Sequence, residues 1–205
     1  MPKENLAPPP THSTSRVLLG SVSDYSAETG SHLRRVCSLS VRLARVLGVV
    51  GDAIEVIRYG ALLHDIGKQS IPAEILHKPG RLEPSELMVM RTHCQLGAEI
   101  AERNGFGADI ISVIKYHHER YDGEGYPEGL AGEDIPLGAR IVAAVDTVDT
   151  ILYERSYDAA RPYDVAQSEL ERCAGTQFDP TVSRALSKLL EEIAESRGWV
   201  DSAAA

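Results

Sequence analysis

The 205-residue chain is long enough for one well-buried core, whereas two full domains would be cramped. Its net charge of -9 argues against a nucleic-acid-binding surface, which needs a basic patch, but not against a phosphate substrate, because bound metal ions reverse the charge locally. Since no apolar run approaches the roughly 20 residues of a membrane span and the start has no signal-peptide core, we expect a cytoplasmic protein with neither a membrane nor a nucleic acid as partner.

The beginning of the chain differs from the rest. Residues 1–24 are rich in Pro, Ser and Thr and show little periodicity, which predicts a flexible N-terminal tail. From Glu28 onward the apolar spacing is helical almost throughout, and no segment alternates as a strand does. We therefore expect one all-α domain over residues 25–200, followed by a disordered tail over 201–205.

Two helices are predicted before the most informative motif. An apolar stripe at helical spacing predicts a first helix that ends near Gly48. The spacing of Asp52 and Glu55 resembles a capping box, which predicts the start of a second helix. That helix runs to an adjacent histidine and aspartate, His64 and Asp65.

Four further helices are predicted, and breaker-rich segments separate them. The first covers the apolar stripe from Leu87 to Ile100 and ends near Asn104, and the second covers residues 109–118. The third is a long helix that carries Asp146 and Asp149, and the last begins at Asp179-Pro180. The Gly- and Pro-rich segment 122–138 is predicted to be a loop. Together these patterns predict a helical bundle.

Imidazoles and carboxylates recur along these helices. Glu28 and His32 are four residues apart and share a helix face, while His64 and Asp65 are adjacent at a helix end, where Asp65 can bridge two metals through its two oxygens. Each piece alone also fits a surface pair, so the indication comes from their joint occurrence. The 3 cysteines lie far apart without a C-x-x-C pair and are interpreted as buried thiols in a reducing compartment. A His/carboxylate set without cysteine suits iron, manganese or zinc, and two such ions activate a bridging hydroxide for attack on a phosphate ester.

The chain resembles the HD-GYP domains, a subgroup of the HD-superfamily phosphohydrolases associated with bacterial cyclic di-GMP hydrolysis. The resemblance runs from about Glu28 to the last helix. Five segments carry it: ALLHDIGK (61–68), IPAEILHKPGRL (71–82), HHERYDGEGYPEGLAGEDIP (117–136), ARIVAAVD (139–146) and GTQFDP (175–180). It implies an HD-superfamily helical bundle with additional C-terminal helices and a GYP loop.

The resemblance also implies a metal centre. Carried over residue by residue, it gives as metal ligands His32, His64, Asp65, His93, His117, His118 and Asp146. Glu28 matches the extra acid of members that hold a third metal, and an exposed glutamate at a helix start is the alternative interpretation. The implied cofactors are therefore two or three divalent metal ions, iron or manganese, with Asp65 counted as catalytic.

Three residues are expected to meet the substrate near the metals. Lys68 lies one helical turn beyond His64, and the resemblance links it to catalysis and phosphate binding; a surface lysine is the alternative. Tyr126 lies in a stiff Gly-Tyr-Pro turn that presents its ring to a guanine or, alternatively, docks a partner. Arg140 is expected to order this loop or to hold a phosphate.

The remaining substrate-binding expectations follow the metal-binding helix. Asp149 is expected to orient Lys68 or a water molecule. The family places an R-x-Y after this aspartate; Arg155 and Arg161 both begin one, and counting along the chain favours Arg155 as the phosphate contact. Asp158 then stands where members often have a basic residue, which removes a possible phosphate contact.

The leading hypothesis is a metal-dependent phosphodiesterase that hydrolyses cyclic di-GMP to pGpG, and onward to GMP, through a metal-bridging hydroxide. The alternatives are a phosphodiesterase for another cyclic dinucleotide such as cyclic GMP-AMP, a general HD nucleotidase, against which the GYP loop argues, and a weakly active sensor or docking module. Expected partners are a diguanylate cyclase domain or a sensory or receiver domain, bound through the GYP loop or the N-terminal tail, with a dimer as one oligomeric state.

Overall fold

The computed structural model describes residues 27–153 and 162–197, with side chains over 30–153 and 163–196. Nine α-helices lie within these ranges: α1 Ala27–Val46, α2 Asp52–Leu63, α3 Ala73–Leu76, α4 Pro84–Arg91, α5 His93–Arg103, α6 Ala108–Tyr116, α7 Leu137–Tyr153, α8 Pro162–Cys173 and α9 Pro180–Arg197. Two 3-10 helices, Ile66–Ser70 and Gly132–Asp134, complete the elements, and no strand occurs in the described part of the chain. The predicted all-α bundle is confirmed, whereas both predicted tails lie outside the described residues.

The bundle has two apolar cores. In the larger one α1, α2, α7, α8 and α9 pack together around fully buried side chains such as Leu43, Ile141 and Leu186. The smaller one lies between α2, α5 and α6, around Leu63 and Ile114. Burying one such side chain contributes about 1.5–3 kcal/mol, so these contacts fix the helices rigidly against one another. None of the described helices is both long and apolar enough to cross a membrane.

The helix ends agree with the sequence in two cases and differ in one. Helix α1 ends just before Gly48, which has φ 82°, and the carboxylate of Asp179 accepts hydrogen bonds from the first backbone N–H groups of α9, as predicted. The prediction of a capping box at Asp52 is wrong, because Gly51 is the N-cap of α2 and makes no side-chain capping bond. Glu55 instead accepts a hydrogen bond from Arg58, one turn further on.

The apolar stripe from Leu87 to Ile100 is two helices and not one. Helix α4 ends at Arg91 and α5 begins at His93, with Thr92 between them. The hydroxyl of Thr92 donates to the carbonyl of Val89, a local bond that competes with the helical ladder. Since Leu87 is 41% exposed, the stripe's first turns do not belong to the core. The break places His93 at a helix terminus.

Candidate metal centre

Three buried histidines follow helix ends and are held in the same way. His64 follows α2, His93 follows α4, and His117 follows α6. In each ring Nδ1 lies 2.7–2.8 Å from the backbone carbonyl oxygen three residues earlier, an acceptor that the end of a helix leaves without an intrahelical donor. Because a carbonyl can only accept, Nδ1 carries the proton and Nε2 presents a lone pair.

These lone pairs point at one another. The Nε2 atoms of His93 and His117 lie 3.4 Å apart, although neither has a proton to donate. The two oxygens of Asp65 face different rings, Oδ2 at 3.4 Å from Nε2 of His64 and Oδ1 at 3.5 Å from Nε2 of His93. Nε2 of His64 and Oδ1 of Asp65 are buried and have no hydrogen-bond partner among the described residues. Buried acceptors that converge in this way fit a cation between them.

A second group of ligand atoms lies beside the first. Nε2 of His32, on α1, is 3.1 Å from Oδ1 of Asp146, on α7, and the same oxygen is 3.7 Å from Nε2 of His64. Three sets of converging ligand atoms result, each within 4.8 Å: His32/His64/Asp146, His64/Asp65/His117 and His93/Cys94/His117/His118. The structure thus brings together seven of the eight predicted ligands. The side chain of Glu28 lies outside the described residues.

Cys94 is a member of this cluster that the sequence analysis did not predict. Its Sγ is buried 3.5 Å from Nε2 of His93. Burial raises the pKa of the Cys94 thiol to about 12, so the thiol is protonated unless a cation displaces the proton. The geometry thus adds a thiol to the imidazole and carboxylate groups that the sequence indicates. The missed signal was the adjacency of Cys94 to a candidate ligand.

The electrostatics divide the cluster into two halves. Burial lowers the pKa of His32, but hydrogen bonds to Asp146 and Asp149 outweigh it and raise this pKa to about 10. In the other half the charge of Asp65 offsets burial only in part. Burial, assisted by the charge on His93, lowers the pKa of His118 to about 4, and burial holds the pKa of His117 well below its usual range. A protonated His32 thus lies beside the carboxylates on one side, and neutral rings lie on the other.

Asp65 is the acid at the junction. Burial would raise its pKa, but the charges of Lys68 and His64 hold that pKa well below the usual range. Nζ of Lys68 donates to Oδ2 of Asp65 at 2.7 Å, and the lysine side chain is 40% exposed. Lys68 is therefore both next to the ligand cluster and open to solvent, where a phosphate can approach.

Asp149 differs from its expected role. Its carboxylate accepts a hydrogen bond from Nδ1 of His32 and two from Arg35, all at 2.8 Å, and it is buried. It therefore orients His32 and not Lys68, whose described partner is Asp65. Arg35, which the sequence analysis missed, lies one helical turn after His32 and completes this network.

The Gly- and Pro-rich loop is attached to the cluster through Tyr126. The Tyr126 ring stacks on the ring of His118 with centroids 5.0 Å apart and an interplanar angle of 27°, and the guanidinium of Arg91 lies 5.0 Å from the centroid of Tyr126. The buried carboxylate of Glu119, another residue the sequence analysis missed, accepts the backbone N–H groups of Glu128 and Gly129 at 2.8 and 3.0 Å. The residue after the two histidines thus fixes the loop that positions Tyr126.

The remaining predicted residues lie further out. Arg140 donates to the carbonyl of Ile135 and to Asp179, which links the loop to the start of α9. This position favours the loop-ordering alternative over a phosphate contact. His77, which lies at the end of α3, belongs to none of the three ligand sets. Arg155, Asp158 and Arg161 lie outside the described residues.

A helical bundle that presents a His-Asp doublet among further histidines and a distant aspartate defines the class of the protein. The chain belongs to the HD domain family: the family model, described as an HD domain, matches residues 16–182. The predicted membership of the HD superfamily is confirmed.

The comparisons with individual proteins agree with this assignment. The chain is 39% identical to a cyclic di-GMP phosphodiesterase of Thermotoga maritima, over 87% of this chain and 49% of the relative. It is 36% identical to the 3'3'-cGAMP-specific phosphodiesterase 2 of Vibrio cholerae, over 85% of this chain and 34% of the relative. The crystal structure of a cyclic GMP-AMP-specific phosphodiesterase of V. cholerae superposes with a TM-score of 0.66 at 20% identity, covering 92% of this chain and 50% of that one. The chain thus spans between about a third and a half of the length of these relatives.

Proposed function

We propose that the protein is a metal-dependent phosphodiesterase that hydrolyses cyclic di-GMP to pGpG, and onward to GMP. The observation that carries this proposal is the buried cluster of imidazole and carboxylate acceptors directed at one another beside an accessible lysine. The named activities of the similar proteins from T. maritima and V. cholerae support the substrate class.

The ligand sets support a choice of metal-holding residues for this proposal. His32, His64 and Asp146 would hold one divalent ion, and Asp65, with its oxygens facing two different histidines, would be shared between neighbouring ions. His93, His117 and His118 would hold a further ion. We propose iron or manganese as the physiological metal for the His/carboxylate positions. Bound ions supply an activated water nucleophile and neutralise charge on the phosphoryl oxygens.

The chain's own residues would act on the dinucleotide around this centre. Lys68 would donate a charged hydrogen bond to a phosphoryl oxygen or to the departing 3′-oxygen, where negative charge develops. Tyr126, held by His118 and Arg91, would border a guanine with its ring, and Arg140 would keep the loop in place. Asp149 would position His32, and Arg155 would contact phosphate.

Cyclic GMP-AMP is the second candidate substrate. A relative specific for 3'3'-cGAMP is nearly as similar to this chain as the cyclic di-GMP phosphodiesterase is. Stacking on a tyrosine ring and phosphate contacts discriminate poorly between guanine and adenine, because every base offers a π-face. We also propose that the reaction takes place in the cytoplasm and that a cyclase, receiver or other sensory domain supplies the regulatory input.

The decisive experiment is anaerobic incubation of iron- or manganese-loaded protein with each dinucleotide, followed by chromatography of the products. We expect pGpG and GMP from cyclic di-GMP, and no product from the double variant His64→Ala/Asp65→Ala. The matched control is His77→Ala, which removes an exposed histidine outside the ligand sets and should retain full turnover. Fully metallated protein that turns over neither dinucleotide would contradict the proposal, and faster turnover of cyclic GMP-AMP would change the substrate.

A further inference from the structure

The ligand set on the neutral-imidazole side of the cluster contains a sulfur atom. The ligand atoms of His93, Cys94, His117 and His118 all lie within 4.8 Å of one another. His93, Cys94 and His117 are each at most 1% exposed and His118 is partly buried, so the protein covers most of the set. Its members come from the first turn of α5 and from the residues that follow α6.

We propose that Cys94 supplies a thiolate ligand to the metal position formed by His93, His117 and His118 beside the shared carboxylate of Asp65, and that the sulfur makes this position selective for zinc. The inference rests on the metal centre of the proposed function but not on its substrate. On binding, a metal–sulfur bond forms with an electron pair of Sγ, the Sγ–H bond breaks, and the proton leaves to solvent.

The ligand–ligand distances match zinc coordination. Tetrahedral zinc, with bonds of about 2.05 Å to imidazole nitrogen and about 2.3 Å to thiolate sulfur, holds two nitrogens about 3.3 Å apart and a nitrogen and a sulfur about 3.6 Å apart. The Nε2 atoms of His93 and His117 lie 3.4 Å apart, and Sγ of Cys94 lies 3.5 Å from Nε2 of His93. Two of the distances between ligand atoms therefore already have the lengths that zinc requires.

The tautomers point to a cation independently of the cysteine. The Nδ1 protons of His93 and His117 are committed to the backbone carbonyls of Met90 and Ile114, so their buried Nε2 atoms face each other as two acceptors. An ordinary buried cysteine behaves as a small apolar side chain. Cys94 instead lies beside these two acceptors, where a positive ion resolves their repulsion and binds the sulfur.

Sulfur changes which ion the position prefers. Thiolate is a soft ligand that favours zinc and cobalt, whereas manganese prefers oxygen donors. The positions built from His32, His64, Asp65 and Asp146 contain carboxylate oxygens and no sulfur among the described residues. The two sides of the centre would therefore hold chemically different ions.

Anaerobic titration of chelator-treated protein with cobalt(II) tests the ligand directly, because thiolate–cobalt bonds give an intense charge-transfer absorption in the near ultraviolet. We expect this band in the wild type and its loss in Cys94→Ser, with cobalt still bound at the carboxylate-containing positions. Cys37→Ser is the matched control: it removes another buried thiol, in α1 within the larger core, and should keep the band. In competition experiments, Cys94→Ser should weaken zinc binding by more than the roughly 10–100-fold that loss of an outer partner costs, with little change for manganese.

Bound cobalt without the band, or a band that persists in Cys94→Ser, would overturn the inference and leave the proposed function intact. Protein that binds no cobalt at all would overturn both. If Cys94→Ser does not fold, as judged by circular dichroism, X-ray absorption of the zinc-loaded wild type decides: a sulfur neighbour at about 2.3 Å supports the thiolate ligand, and a shell of nitrogen and oxygen alone overturns it.

Discussion

At the scale of single residues, Lys68 is the cation beside the cluster that we propose contacts the substrate. Its ammonium contacts Asp65 but remains 40% exposed. We expect Lys68→Met to lower kcat by about 10²–10³-fold, because a charge-assisted donor to the developing negative charge is lost. Metal content should be unchanged, since lysine is not a ligand.

Steady-state kinetics and metal analysis of the same preparation check this expectation. Lys78→Met provides the matched control, because Lys78 pairs with Glu86 away from the ligand sets. An Lys68→Met enzyme with wild-type kcat would show that the lysine has no role in the chemistry.

The raised pKa of His32 predicts a pH dependence for the metal-free protein. The unfolded chain has an ordinary histidine pKa near 6.5, whereas hydrogen bonds to Asp146 and Asp149 overcome burial and raise the folded value to about 10. The protonated ring therefore stabilises the fold fully below pH 6.5, and this contribution is lost as the pH rises toward 10. Urea unfolding in the presence of a chelator should show a free energy of unfolding that decreases over this range.

His32→Gln isolates the effect, because glutamine does not titrate. The variant should lose the decrease between pH 6.5 and 10 while other titrations remain. An equal decrease in the wild type and the variant would assign the effect to a different group.

Residue identities along the chain predicted most of the residues of the candidate site but not the hydrogen bonds between them. The seven candidate ligands that the structure brings together were predicted from the family resemblance and from the joint occurrence of histidine and aspartate at helix ends and on helix faces. The position of Cys94 in the cluster was missed because a metal-binding cysteine is usually recognised from paired cysteines, whereas Cys94 stands alone and His117 and His118 come from elsewhere in the chain. The contacts of Asp149 were not predicted, since sequence does not show that α1 approaches α7 with His32 and Arg35 facing it.

At the scale of elements, Gly67 allows the 3-10 helix Ile66–Ser70 to lie against α5. A Cβ atom at Gly67 would lie 1.9 Å from the carbonyl oxygen of His93 and 2.6 Å from the backbone nitrogen of Gly97. Gly67→Ala must therefore push the two elements apart. We expect a loss of about 3 kcal/mol in the free energy of unfolding, the upper part of the range for overpacking, and weaker metal binding because His93 moves.

Chemical denaturation and metal titration of the variant measure both effects. Gly107→Ala is the control, because a Cβ there meets no atom within 4 Å and the cost is limited to a poorer helix N-cap, about 1 kcal/mol. Equal stability losses in the two variants would contradict the close approach at Gly67.

The elements themselves were predicted better than their boundaries. Apolar periodicity identified most of the helices because each buries one face, but it predicted neither α3 nor α8. The break at Thr92 was missed, because the stripe from Leu87 to Ile100 continues in phase across it while Leu87 is exposed. The true capping box lies at Glu83 and Glu86, where the N-cap is an acid and a proline follows, a pattern less typical than the one at Asp52.

At the scale of the whole molecule, the ligand sets join helices of both apolar cores. His32 and Asp146 belong to α1 and α7, whereas His93 belongs to α5. Metal binding is therefore available only to the folded bundle and stabilises it, by about 2.7 kcal/mol when free metal is 100-fold above its Kd. For a chain of this length we expect an increase in Tm of roughly 5–10 °C.

Thermal unfolding with manganese, with zinc and with a chelator checks this increase. The double variant His64→Ala/Asp65→Ala should gain much less from manganese. An unchanged Tm on saturation with either metal would mean that the cluster does not bind ions tightly.

The histidines that donate Nδ1–H to their own helix ends have a consequence for how the protein is supplied with metal. Helix formation has already set the tautomer and the ring orientation, so an arriving ion meets donors that need little rearrangement, and a departing ion leaves them in place. Exchange of one ion for another is then governed by access to the cluster and by competition in the surrounding solution. The identity of the metal isolated with the protein therefore depends on the growth medium and the purification buffer as well as on the donor atoms.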